Sequence, residues 1–113
     1  MTNETSIVAI EGKWVVYVTG AVYAETQHAL ALRQLGSADV IYIPRDDVAM
    51  AFFDKTDQSR DLPGLGTAEY YSIDTKSRVL DNVAWSIESP TEAAAQLRGY
   101  LAFDSAVVTV ERQ

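Results

Sequence analysis

A β-branched and aromatic run, Val40-Ile41-Tyr42-Ile43, drives directly into Pro44, and the charged residues Arg45-Asp46-Asp47 follow before Val48. Few folds accommodate that succession. Residues of the first kind suit a pleated, buried strand. Proline has no N–H for the next rung of a ladder, so the strand must end there. Asp46 or Asp47 can then cap a short helical turn through Val48–Phe53, with Met50 and Phe53 packing inward. A strand that stops abruptly at a polar cluster also marks where a site would sit.

The rest of the chain repeats this grammar of short apolar runs and turns. Ser6–Ile10, Trp14–Val18 and Ala21–Ala24 predict two or three antiparallel strands in a meander, with Glu11-Gly12-Lys13 and Thr19-Gly20 as turns. Residues 26–35 fit either a helix, capped at Thr26 and stopped at Gly36, or a strand leaving a turn at Thr26-Gln27-His28. Asp54–Gly66 is polar and ends in Pro63-Gly64-Leu65-Gly66, which predicts a long surface loop. Ala68–Asp74 and Val83–Glu88 predict strands, with Tyr71 and Ile73 on one face of the first and Val83, Trp85 and Ile87 aligned in the second. Ser89-Pro90-Thr91-Glu92 has the form of a capping box with proline at the first helical position, and predicts one short helix ending at Gly99. Tyr100–Phe103 and Val107–Glu111 close the chain as strands.

Composition narrows the functional classes. At 113 residues the chain supports a single domain with one core. A net charge of −7, with nine basic residues scattered singly from Lys13 to Arg112, argues against nucleic acid, whose phosphates demand clustered Lys and Arg. The absence of cysteine removes disulfides, thiolate nucleophiles and cysteine–zinc sites. Met1–Ser6 lacks the charged and apolar regions of a secretory signal, and no apolar run is long enough for a membrane span. The expectation is a cytoplasmic protein with no membrane partner.

Several stretches together resemble the bacterial family known as domain of unknown function 427, which also carries a nucleotidyltransferase-like label. They are Tyr42–Val48, Gly66-Thr67-Ala68-Glu69-Tyr70-Tyr71, Ala84-Trp85-Ser86 and Gly99–Phe103, with Ala24-Glu25-Thr26 and Ala29-Leu30 before them. The resemblance implies a mainly β domain, a compact antiparallel β roll or barrel-like sheet. Its topology would be similar to that of the zinc-binding exchange chaperone Mss-four, without the metal. The chain departs from the family at one place. Where many members carry Cys-Pro-aromatic-Lys-Gly, this sequence has Leu62-Pro63-Gly64-Leu65-Gly66. Any chemistry that uses that cysteine or lysine is unavailable here.

The candidate ligand-binding residues are Tyr42, Arg45, Asp46, Tyr71, His28 and Glu25. Arg45 with Asp46 and Asp47 could recognise an anion, or the carboxylates could cap the turn and pair with Arg45. His28 is the only histidine, so imidazole chemistry near neutral pH must use it, with Glu25 placed nearby in sequence to orient it. Tyr42, Tyr70, Tyr71, Trp85, Tyr100 and Phe103 could line a pocket, although Trp85 and Phe103 suit a core. No dinucleotide-binding or phosphate-loop motif occurs, and Asp46 and Asp47 are adjacent, a poor arrangement for holding magnesium. No metal and no cofactor are expected. The first functional expectation is therefore a non-enzymatic module for a small molecule or a partner protein. The alternative is an enzyme on an anionic or phosphorylated substrate with His28 or an aspartate as base. A third reading is a homodimer in which exposed strand edges cover one another.

Overall fold

The computed structural model describes residues 5–113. Ten strands form two antiparallel sheets: β1 (Thr5–Ala9), β2 (Trp14–Val18), β3 (Ala21–Thr26), β4 (Leu30–Gln34), β5 (Val40–Pro44), β6 (Phe53–Leu62), β7 (Gly66–Asp74), β8 (Val79–Ser86), β9 (Tyr100–Phe103) and β10 (Thr109–Arg112). Seven of them lie in the order β1-β4-β5-β9-β8-β7-β6, and the other three in the order β10-β2-β3. The mainly β, antiparallel expectation matches this architecture, although the sheets do not close into a barrel.

The ambiguous stretch after Thr26 is a strand. Leu30, Ala31 and Leu32 pair with Tyr42, Ile41 and Val40, and the hairpin turns at Leu35-Gly36 with Gly36 at φ +83°. The first three strands are not a simple meander. β2 and β3 form a hairpin about Thr19 and Gly20, both at positive φ, but β1 leaves them to pair with β4. Pro44 ends β5 as its chemistry requires, and the chain enters a 3-10 turn at Arg45–Asp47.

Three local expectations are corrected. Neither Asp46 nor Asp47 caps a helix: the turn starts at Pro44, makes no side-chain cap bond, and a second 3-10 turn occupies Met50–Phe52. Asp54–Gly66 is not a loop, because β6 is a ten-residue edge strand with almost every side chain in solvent. Its polar composition reflects that exposure. The segment after Ser89 is a 3-10 helix, Glu92–Leu97, kinked at Ala94, with Thr91 rather than Ser89 at its start.

Two apolar clusters hold the structure together. Ile43, Tyr71, Ile73, Leu101 and Phe103 of the large sheet pack with Val16 and Tyr23 of the small one. Tyr42, Leu65, Ile87, Ala94, Leu97 and Ala102 form the second cluster, which brings the Glu92–Leu97 turn and the β6–β7 hairpin tip onto the large sheet. Leu65 is buried there, in the Leu62–Gly66 segment at the hairpin tip.

Candidate functional site

Arg45, just past the proline, leans back over the large sheet. Its guanidinium donates to the Tyr71 hydroxyl at 3.4 Å, to Ser86 Oγ at 3.3 Å and to the Glu88 carboxylate, and stands 5.6 Å from the centre of the Tyr71 ring. Ser86 Oγ, fully buried, passes its own hydrogen to Glu88 at 2.7 Å. Strand order explains the convergence: β5 and β8 flank β9, and Ser86 sits opposite Leu101, which sits opposite Ile43. Nearby, Lys55 pairs with Glu69 at 2.7 Å, and that hydrogen bond raises the Lys55 ammonium above its ordinary pKa. The charge of Arg45 is thus compensated within the protein. Its partner is Glu88, not Asp46 or Asp47.

The other sequence candidates scatter. Tyr42 is buried in the second apolar cluster, away from Tyr71 in the first, and its oxygen accepts from the Trp85 indole N–H at 3.2 Å. Burial pushes its phenol up from the usual tyrosine value. Asp46 is exposed, beside a shallow recess with Arg98 and Tyr100. His28 and Glu25 do share one recess, of about 360 Å³, together with Asp47. There Glu25 is paired with Lys13 at 3.0 Å and Asp47 accepts from Thr26 Oγ1 at 2.6 Å, while the His28 amide donates to the same hydroxyl. Of the six, Arg45 and Tyr71 are joined by a side-chain hydrogen bond, whereas His28 and Glu25 share only a recess. Among the described residues no three histidine, aspartate or glutamate side chains converge as a metal site.

A roomier concavity lies elsewhere. A cleft of about 490 Å³ opens where the β4–β5 connection, the end of β9 and the middle of β8 meet, with Tyr70, Trp85 and Phe103 among its walls. Tyr70 and Trp85 are direct cross-strand partners with ring centres 5.9 Å apart, and both are only partly buried. Arg60 of β6, Asn82 of β8 and Asp104 after β9 bring polar groups to the same space. Asn82 arrives there through a bulge. Tyr71 and Ile73 oppose Ala84 and Leu80, so β8 carries two extra residues, and Asn82 takes φ +52°. Its Oδ1 accepts from Thr56 Oγ1 at 2.6 Å and its amide donates to Ser72 Oγ at 3.0 Å.

Sequence reasoning placed Trp85 and Phe103 in the core and passed over Arg60, Asn82, Ser86, Glu88 and Asp104. One signal existed for Ser86 and Glu88: polar residues two apart at the end of a buried strand share a face. For the cleft none did, because it is assembled by strand order and by a bulge.

No curated protein matches the sequence. The family model described as a domain of unknown function, DUF427, matches residues 6–113. With all but its first five residues covered, the chain belongs to the DUF427 family.

Proposed function

We propose that this protein is a non-enzymatic module that binds a small molecule, and that the cleft floored by Tyr70 and Trp85 receives it. The observation that carries this reading is the pair of partly exposed, adjoining rings in a cleft of about 490 Å³, with the polar side chains of Arg60, Asn82 and Asp104 around them. Aromatic walls with placed polar side chains are what small-ligand sites use to gain burial and fix orientation. The Arg45 cluster suits this role less well, since its donors are already engaged by Tyr71, Ser86 and Glu88. Arg45 and Tyr71 brace the sheet next to the site.

A thermal-shift screen of small ring compounds tests the reading, because a ligand bound only by the folded state raises the midpoint by linkage. Hits should lose most of their shift in Tyr70→Ala and keep it in His28→Ala. Hits indifferent to Tyr70→Ala would remove the cleft from consideration. Loss of the shift in His28→Ala would favour the enzyme reading, whose base would be His28.

A further inference from the structure

The cleft is polar at its two ends with opposite sign, and this gives a ligand class to the binding reading on which the inference rests. Tyr70 pairs with Trp85, and Trp85 with Ala102, so the floor runs across β7, β8 and β9. Beyond β7 stands Arg60, on β6 opposite Ala68. Beyond β8 stands Asp104, held there by its amide bond to the Val83 carbonyl at 2.8 Å. Strands lie about 4.8 Å apart, so three spacings put the strands carrying Arg60 and Asp104 roughly 14 Å apart. The two residues are also offset along those strands, since Ala68 precedes Tyr70 by two residues and Asp104 follows Ala102 by two, so they stand diagonally across the floor and the long arginine side chain reaches back over it.

The charges of the lining are not equally available. Asp39 is neutralised by Arg33 at 3.0 Å. Arg60 makes no side-chain hydrogen bond or ion pair among the described residues. Asp104 uses Oδ1 to accept the Ala106 amide at 3.0 Å and forms no ion pair among the described residues. A guanidinium without a partner and a carboxylate with one oxygen unengaged therefore stand at opposite ends of the aromatic floor.

We propose that the cleft takes a planar, ring-bearing small molecule with an anionic group at one end and a protonated amine at the other. The ring lies against Trp85 and Tyr70, the anion meets Arg60 and the amine meets Asp104. Arginine is suited to the first contact because its fork matches a carboxylate or phosphate, and aromatic faces favour both stacking and a neighbouring cation.

The chain holds two tryptophans, so nitrogen-15 spectra report the Trp85 indole N–H against Trp14 as an internal control. Three probes share a ring and differ in their ends: 4-(aminomethyl)benzoate, 4-methylbenzoate and 4-methylbenzylammonium. The doubly charged probe should move the Trp85 resonance and bind about tenfold more tightly than either singly charged one. Arg60→Gln should abolish its advantage over 4-methylbenzylammonium. Asp104→Asn, which keeps an acceptor for the Ala106 amide, should abolish its advantage over 4-methylbenzoate. Equal binding of all three probes would overturn the two-ended assignment while leaving the cleft as a site. Absence of any shift would overturn the ligand class, and the Tyr70→Ala screen then decides separately whether the cleft binds at all. Unchanged affinity of the doubly charged probe in both variants would likewise overturn it.

Discussion

At the scale of single residues, the polar groups that folding withdraws from water are matched with partners, and each match can be tested. Arg45 donates to three acceptors at once and lies over the Tyr71 ring. Its pair with Glu88 is a third exposed or more on each side, so solvent screening keeps the ionic part small. Arg45→Ala should cost about 1–2 kcal/mol in urea unfolding, chiefly by leaving Ser86 and the Tyr71 hydroxyl short of a donor. Lysine should not restore it, since an ammonium cannot fork to three acceptors in that plane. Tyr42→Phe removes the acceptor of the Trp85 indole and should cost about 1 kcal/mol at neutral pH. The same substitution should change the alkaline limb of stability. Burial raises the Tyr42 pKa in the folded state, so its contribution is complete below the unfolded value of about 10 and is lost as pH rises through the folded value. Stability curves of wild type and Tyr42→Phe should therefore converge above pH 10; parallel curves would contradict the assignment.

At the scale of elements, the hairpin tip and the bulges decide what the strands present. Gly66 closes the β6–β7 turn at φ +129°, and a Cβ there would meet Ile87 Cγ2 at 3.0 Å and the Ser89 carbonyl oxygen at 3.1 Å. Gly64, at φ +80°, has nothing within 4 Å. Both alanine substitutions carry backbone strain, but only the first adds a clash. Gly66→Ala should be more destabilising than Gly64→Ala by about 1 kcal/mol or more in parallel denaturation curves. The same tip bears Leu62 and Leu65, the residues at which the family resemblance implies a cysteine and a lysine. Leu65 is buried against Ile87 and Leu97, and the Thr91 amide donates to its carbonyl at 2.9 Å, so the segment is part of the core. The β8 bulge works differently. It breaks the alternation expected of β7, where Tyr71, Ser72 and Ile73 are all buried, and turns Asn82 toward the cleft.

At the scale of the molecule, one large sheet carries an apolar cluster with the small sheet and another with the Glu92–Leu97 turn. Leu101 and Leu97, both fully buried, belong to different clusters. Leu101→Ala and Leu97→Ala should each cost about 2–5 kcal/mol, and each should shift a single unfolding transition rather than create a second one. A biphasic curve for either would mean that the two clusters fold separately. Most of the strands were legible in the sequence, because β-branched and aromatic runs such as Trp14–Val18 and Val40–Ile43 favour a pleated backbone whatever surrounds them, and Pro44 must end a ladder. The edge strand β6 was not, since a strand with solvent around its side chains has a loop's composition and is held by pairing with β7 alone. The sequence determined that residues 40–48 would be a strand, a stop and a polar turn. Which carboxylate meets Arg45, and that Tyr70, Trp85, Arg60 and Asp104 share one cleft, was decided only by tertiary structure. Arg45 and Glu88 lie 43 positions apart and are joined through the order of strands in the sheet, and no local preference encodes that order.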